Sequence, residues 1–281
     1  MKCKELSNGN SIPYIGLGTW KLTDRQLLSG LIGAAYEKGY RLIDTAAAYS
    51  NEIAISKAIS ENGINREDLF ISDKVWNTSR GYEAVRKACQ TSLKKLKTDY
   101  LDMYLIHWPA SMKLYENWAE INAETWRGME QLLADGLVKE IGVSNFKIHH
   151  LEELNKTAKV KPAVDQMEIH PGLYPKDIID YCSENGICVE ASSPLGNGQI
   201  LSDKSLNEIA GTHNKTVAQI CIRWILDKGV IAIPKSTSKS RIQENMDVFD
   251  FSLSSEETET IDNLPFCGGL GIDPDEVVSF G

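Results

Sequence analysis

Short apolar runs alternate with amphipathic stretches along nearly the whole chain, and most runs end on or beside a polar residue. Tyr14–Trp20, Arg41–Thr45, Leu69–Val75, Tyr100–His107, Val138–Ser144, Ala163–Ile169, Cys188–Ser193 and Gly229–Lys235 read as strands. They alternate poorly between apolar and polar, as parallel strands buried on both faces should. Between them Leu28, Ile32, Ala35 and Tyr36 recur at helical spacing, as do Val85, Cys89, Leu93 and Leu96. Eight strands, seven intervening helical segments and a helix after the last predict an α/β fold, the (β/α)8 TIM barrel. Ahead of it, K-C-K-E-L and S-I-P flank the turn-forming S-N-G-N, which predicts a short β-hairpin over residues 1–13. No sequence repeat, low-complexity segment or Pro/Gly/Ser linker divides the chain, so residues 1–281 read as one domain.

A doubly wound nucleotide-binding sheet is the rival fold, and it should carry G-x-G-x-x-G after its first strand. Here that strand runs Y-I-G-L-G-T-W-K, and Lys21 stands where the third glycine belongs. The C-G-G-L-G near Cys267 follows no strand. A nucleotide would have to bind another way.

Asp44, Lys74, His107, Ser144, Gln166, Ser193 and Lys235 lie at or near strand ends, and in a barrel these ends share the C-terminal rim where active sites form. Four groups there carry chemistry: a carboxylate (Asp44), a phenol (Tyr49), an amine (Lys74) and an imidazole (His107). Carbonyl reduction needs a hydride donor and an acid for the emerging alkoxide. A phenol with a reference pKa of about 10 is a poor acid at neutral pH. An ammonium about 4 Å away is worth roughly 4 kcal/mol at an effective dielectric of 20, a downward shift of about two to three pKa units. Tyr49 is therefore expected to be acidic near physiological pH, with Asp44 holding Lys74 by an ion pair and His107 donating to the carbonyl oxygen. Structural roles compete: a turn cap for Asp44, a packing aromatic for Tyr49, a solvated strand end for Lys74, a loop histidine for His107.

The charge balance narrows the partners. A formal net charge of −9 argues against nucleic acid and anionic membrane. The six cysteines show neither C-x-x-C nor metal-ligand spacing, which fits a reducing cytosol and predicts no metal site. No apolar stretch reaches the length of a membrane span and the start M-K-C-K-E-L lacks a signal-peptide core, so a soluble, cytoplasmic protein is expected.

Several long motifs resemble those of the aldo-keto reductases. G-Y-R-L-I-D-T-A-A-A-Y-S-N-E (Gly39–Glu52), V-K-E-I-G-V-S-N-F (Val138–Phe146) and I-P-K-S-T-S-K-S-R-I-Q-E-N (Ile233–Asn245) are similar to the three family signatures. D-K-V-W (Asp73–Trp76), L-I-H-W-P (Leu105–Pro109) and V-D-Q-M-E-I-H-P (Val164–Pro171) also match, in family order. The likeness is strongest to short microbial members that reduce diketo sugar acids, dicarbonyls such as methylglyoxal, and general aldehydes. It implies a barrel whose floor is closed by the hairpin, an acid–base tetrad on Asp44, Tyr49, Lys74 and His107, NADPH as hydride donor, and a monomer. It also implies that Ser144, Asn145 and Gln166 hold the nicotinamide carboxamide, that Gly18, Thr19 and Trp20 line the entrance, and that Glu244 and Asn245 contact adenine. It further implies that Ser192, Ser193 and Leu195 of A-S-S-P-L, at and just past the end of the seventh barrel strand, bind the cofactor.

The phosphate end of the cofactor has its own residues. Lys235, Ser236 and Arg241 offer two cations and a hydroxyl after the last strand, the usual phosphate site of such barrels. A surface charge run is the competing reading. Two departures from the family pattern stand out. Ser192 occupies the place where most relatives stack an aromatic on the nicotinamide, and Ser56 replaces a glycine of the first signature. Trp20, Trp76 and Trp108 lie just beyond strand ends and suit an apolar substrate wall, with core packing as the alternative. His149 and His150 read as solvated at a helix start, His170 as a structural hydrogen-bond partner, and His213 as a helix-end or surface residue.

NADPH-dependent reduction of small aldehydes and ketones is the leading function. Two others compete: a nicotinamide-binding sensor or adaptor, favoured only by the lost aromatic at Ser192, and a Schiff-base aldolase using Lys74. Ala110–Thr125 reads as a long loop shaping one pocket wall, and the closing L-G-I-D-P-D-E-V-V-S-F-G as a short tail over the pocket.

Overall fold

A computed structural model of the protein describes residues 2–277. The predicted hairpin forms from β1 (Cys3–Glu5) and β2 (Ser11–Pro13), antiparallel and in register Lys4 to Ile12. Eight parallel strands follow: β3 (Gly16–Gly18), β4 (Leu42–Asp44), β5 (Phe70–Val75), β6 (Met103–Ile106), β7 (Ile141–Ser144), β8 (Val164–Glu168), β9 (Cys188–Ser192) and β10 (Ile231–Ala232). Each pairs with its neighbour in sequence, and the parallel bridge Ile15 to Ala232 closes β10 onto β3. Strand and helix alternate into the (β/α)8 barrel that the apolar pattern predicts.

The strands are shorter than their apolar runs, because the ends splay into loops. The last run shrinks most: only Ile231–Ala232 of Gly229–Lys235 is strand. Pro234 has no N–H with which to extend a ladder, although its carbonyl still accepts Gly18 N–H at 3.1 Å. Gly142 of β7 is needed for close approach, since a Cβ there would sit 2.6 Å from the Val164 carbonyl oxygen of β8.

Among the described residues ten helices surround the strands: α1 (Arg25–Lys38), α2 (Glu52–Glu61), α3 (Tyr82–Leu96), α4 (Trp118–Ala134), α5 (Ile148–Asn155), α6 (Lys176–Glu184), α7 (Lys204–His213), α8 (Val217–Asp227), α9 (Lys239–Met246) and α10 (Ser255–Asp262). Two helices, α7 and α8, follow β9 where one segment was expected. Their boundaries have local causes. Asp24 caps α1 by accepting Leu27 N–H, and Gly39 ends it in the left-handed conformation at φ 106°. Capping boxes at Thr216/Gln219 and Ser254/Glu257 start α8 and α10. Ser56 lies buried on α2, a side chain the packing accommodates.

Apolar residues on the outer faces of the strands and inner faces of the helices form the main core. A second cluster fills the barrel floor: Leu6 and Ile12 of the hairpin region pack with Leu42, Met103, Leu105, Val164, Cys188 and Ile231. The hairpin therefore plugs the N-terminal end with side chains, and Lys4 donates from its ammonium to the Gly229 carbonyl at the seam. Polar chemistry is left to the opposite end.

About half of Ala110–Thr125 is not loop at all but the start of α4. Its remainder is tied to the C-terminal tail, where Ser111 Oγ donates to the Val277 carbonyl at 2.8 Å and Lys113 pairs with Glu276. The tail's last four residues, 278–281, lie outside the described residues.

Candidate active site

Asp44 ends β4, Lys74 lies on β5 one residue before its end, and His107 follows β6 directly. Adjacent parallel strands in register thus set a carboxylate, an ammonium and an imidazole side by side at the C-terminal rim. Tyr49 comes from a single 3-10 turn, Ala47–Tyr49, in the loop after β4. Asn51 pins that loop: its amide donates to the Thr19 and Leu22 carbonyls, and its oxygen accepts from Thr45 Oγ1 at 2.7 Å.

Lys74 is fully buried. Its Nζ lies 2.5 Å from Asp44 Oδ1 and 2.8 Å from the Thr45 carbonyl oxygen. Burial opposes the ammonium, but Asp44, Tyr49 and Glu190 more than offset it and hold the amine above its ordinary range. The same Nζ sits 5.4 Å from the centre of the Tyr49 ring. His107 packs edge-on against Tyr49, with ring centres 5.8 Å apart, and against Trp76 at 5.1 Å. Burial, then the Lys74 charge, push the His107 imidazole well below its usual range, so it is neutral at physiological pH. Its Nδ1 is buried without a hydrogen-bond partner among the described residues.

The phenol departs from expectation. Tyr49 was expected to be acidic near neutrality, but its pKa is pushed up to about 12. Burial dominates, and the help from Lys74 is partly cancelled by Asp44, whose carboxylate sits on the same ammonium. An ion pair acts on the phenol as a dipole rather than as a free charge.

Deeper in the barrel, Gln166 of β8 donates both amide hydrogens, to Asp44 Oδ1 and to Glu190 Oε2, each at 2.9 Å. With Nε2 saturated, its remaining capacity is an acceptor oxygen. Ser144 and Asn145 end and follow β7, with Asn145 at φ 63° donating to the His107 carbonyl at 2.9 Å and to Ser144 Oγ at 3.1 Å. Asn145 Oδ1 and Gln166 Oε1 are thus matched to a ligand that brings N–H donors, such as a carboxamide. Glu190, fully buried on β9, escaped the sequence reading; a charged residue inside the apolar run C-V-E-A-S was its only signal.

Gly18 ends β3 beside this rim, where a Cβ would lie 3.0 Å from the Ile233 carbonyl oxygen. Thr19 is buried and donates from Oγ1 to the Asp44 carbonyl, while Trp20 is half-buried with the Lys21 ammonium 4.2 Å from its ring centre. Trp76 and Trp108 are half-buried just past β5 and β6. Ser192 ends β9, Ser193 follows at φ 49°, and Leu195 packs against the core at its edge.

Beyond β10 the chain presents Lys235 exposed, Ser236 buried with Oγ accepting from Ser238 N–H, and Ser238 capping α9. Arg241 and Glu244 are exposed on that helix and Asn245 is buried. Two cations beside a helix N-terminus suit a phosphate ester.

Two histidines also correct expectation. His150 is fully buried and His149 only partly exposed, because the tail folds back over the start of α5. Lys147 Nζ pairs with Asp273 at 2.5 Å and Asp275 at 2.9 Å, and Asp275 Oδ1 lies 3.1 Å from His149 Nε2 and 3.3 Å from His150 Nε2. His150 Nδ1 accepts the Lys147 N–H, so the neutral ring carries its proton on Nε2, toward Asp275. A metal ion on Nε2 would force the ring proton onto Nδ1, which could then no longer accept the Lys147 N–H, and the cap would break. His170 is buried with Nδ1 2.8 Å from the Pro171 carbonyl oxygen, and His213 closes α7 with Nε2 2.9 Å from Glu257, both as expected.

Comparison with known proteins agrees with this geometry. The sequence model of the Aldo/keto reductase family matches residues 14–265. The chain is 47% identical to glyoxal reductase of Bacillus subtilis (strain 168) over 274 residues, 98% of this chain and 96% of that protein. It is 42% identical to methylglyoxal reductase DkgA of Escherichia coli (strain K12), across 97% of this chain and 96% of that one. A crystal structure of an aldo-keto reductase (AKR2E5) complexed with NADPH superposes with a TM-score of 0.87 at 35% identity, covering 96% of this chain and 88% of its own. The chain belongs to the aldo/keto reductase family.

Proposed function

We propose that the protein reduces small aldehydes and ketones, 1,2-dicarbonyls among them, to alcohols with NADPH, and that Asp44, Tyr49, Lys74 and His107 carry the proton chemistry. The contact of Tyr49 with the buried Lys74–Asp44 pair carries this reading, since it supplies a neutral phenol with a cation behind it. NADPH, when bound, supplies the hydride. Neutral His107 donates an N–H to the carbonyl oxygen and orients it. Tyr49 Oη gives its proton to the alkoxide as charge develops, and the Lys74 ammonium stabilises the phenolate left behind. Asp44 holds Lys74 in place.

Ser144, Asn145 and Gln166 hold the nicotinamide carboxamide, and Ser192, Ser193 and Leu195 flank its ring. Gly18, Thr19 and Trp20 line the entrance, and Trp20, Trp76 and Trp108 form the apolar substrate wall. Lys235, Ser236 and Arg241 take the ribose 2′-phosphate, with Glu244 and Asn245 at the adenine. Dicarbonyls enter the reading because the named relatives are glyoxal and methylglyoxal reductases. The reading includes a cytoplasmic monomer with neither nucleic-acid nor membrane partner. Among the described residues no helix is long and apolar enough to cross a membrane.

The aldolase alternative fails on chemistry. A Schiff base needs a free amine, and Lys74 is buried and held as an ammonium. The sensor alternative has only the lost aromatic at Ser192 in its favour, and the named relatives are reductases.

A spectrophotometric screen of NADPH oxidation over glyoxal, methylglyoxal, other aldehydes, keto sugars and keto esters tests the activity. Absence of turnover with all of them would overturn it. Arg241→Ala should weaken NADPH by about 10–100-fold, the loss of one charge-assisted hydrogen bond of roughly 1.5–3 kcal/mol, and leave NADH nearly unchanged. Equal losses in titrations of the two cofactors would remove Arg241 from the phosphate site. Ser192→Tyr should tighten NADPH by about 2–10-fold, because ring stacking contributes roughly 0.5–1.5 kcal/mol. Unchanged affinity would mean that another group already covers the nicotinamide face.

A further inference from the structure

The four-residue chemistry at the rim leaves a buried, inward-facing carboxyl beside it unused. Glu190 lies directly across from Gln166 in the β8–β9 register, fully buried, with Oε2 accepting from Gln166 and Oε1 without a partner among the described residues. Side chains two apart on a strand share a face, so Glu190 sits one layer beneath Ser192 and the floor of the nicotinamide site. Three formal charges meet there: Lys74 against Asp44 and Glu190. One ammonium cannot neutralise two carboxylates, and a second buried anion without a cation is costly.

We propose that Glu190 is the charge-compensating group of the nicotinamide site, protonated beside NADPH and ionised beside NADP+. This rests on the cofactor reading above. Hydride loss turns a neutral dihydropyridine ring into a cationic pyridinium, the positive charge this layer lacks. Proton bookkeeping is simple: the Glu190 O–H bond breaks, the proton leaves to solvent, and its electron pair stays as carboxylate. No redox partner is needed beyond the cofactor itself. The consequence is directional. An ionised Glu190 favours NADP+ over NADPH at the site, making the bound reduced form a stronger hydride donor.

The surroundings set the pH window. Facing Glu190 are Asp44 from β4, Lys74 from β5 and uncharged Gln166 from β8, while its β10 partner, Ile231, brings no charge. On its own strand, the thiol of Cys188 lies near enough to interact. Burial, then Asp44, push Glu190 up to about 8, against the opposing pulls of Gln166 and Lys74. Below that pH the carboxyl holds its proton until a pyridinium displaces it. Asp73 and Asp165 are also buried acids with raised pKa values, but each neighbours an inward-facing residue and so points toward the helices.

Fluorescence titration of the full chain with NADP+ and with NADPH, from pH 6 to pH 9, tests the proposal. Both cofactors carry the 2′-phosphate, so its own titration cancels in the ratio of their Kd values. In the wild type, Kd for NADP+ relative to NADPH should fall with rising pH, by up to about tenfold per unit below pH 8, the one-proton limit. In Glu190→Gln the ratio should be flat. A flat ratio in the wild type, or an unchanged slope in E190Q, overturns the proposal while both cofactors still bind. Failure of both cofactors to bind overturns the cofactor reading itself, and this proposal with it. Should E190Q not fold, infrared difference spectra of the wild type decide: loss of a protonated-carboxyl band with NADP+ and not with NADPH supports the proposal, and no such loss overturns it.

Discussion

Tyr49→Phe should lower kcat for carbonyl reduction by about 10²–10⁴-fold, the range of a positioned general acid, with Kd for NADPH essentially unchanged. The ring remains, so its edge contact with His107 and its packing over Lys74 persist, and only the hydroxyl is removed. Stopped-flow or steady-state NADPH oxidation gives the rate, and fluorescence quenching gives the affinity. Turnover within a few fold of wild type would take Tyr49 out of the acid role and leave His107 as the remaining donor. Ultraviolet titration of the cofactor-free protein adds a second check. Because the Tyr49 pKa lies up near 12, wild type and Y49F should ionise the same number of phenols below about pH 11. An extra phenol titrating in the wild type between pH 7 and 9 would restore the simpler picture of an ammonium acting alone.

Lys74→Met should lower unfolding free energy by about 3–5 kcal/mol and abolish turnover, because it strands the Asp44 carboxylate in the barrel without a cation. Asp44 is also nearly buried, so solvent cannot rescue the charge, and Gln166 would be its one remaining side-chain hydrogen-bond donor in the described contacts. Urea unfolding followed by tryptophan fluorescence measures the loss. Removing both charges, in Asp44→Asn with Lys74→Met, should recover much of the stability and none of the activity. A single variant as stable as wild type would mean the pair contributes nothing to folding, and recovery of activity in the double variant would deny both residues a role in proton transfer.

Legibility of this protein from its sequence divides along a physical line. The barrel was readable because burial on both faces of a parallel strand leaves an apolar run, and each of the eight runs contains the strand that forms. Its rim was readable because polar residues can end such runs only where the sheet opens to solvent, which placed Asp44, Lys74, His107 and Ser144 together. Ser192 was legible as an odd residue in a known motif, and it lies at the end of β9. Helix ends fared less well. Trp118 begins α4 inside a stretch that reads as loop, since its polar and aromatic residues hide the helical face. His150 reads as solvated because nothing nearby announces that Asp273 and Asp275, more than a hundred positions later, cover it.

Residue order by itself thus determined the barrel, the rim and the identity of the groups that meet there. Their proton affinities were decided only by the tertiary structure. Asp44 meets Lys74 across 30 positions and Gln166 across 122, and Glu190 meets Gln166 across 24. Each contact changes the charge that a neighbour feels, and burial multiplies the change by removing the water that would screen it. Tyr49 is held as a phenol, and Glu190 holds its proton near neutrality, because these distances close around them in three dimensions.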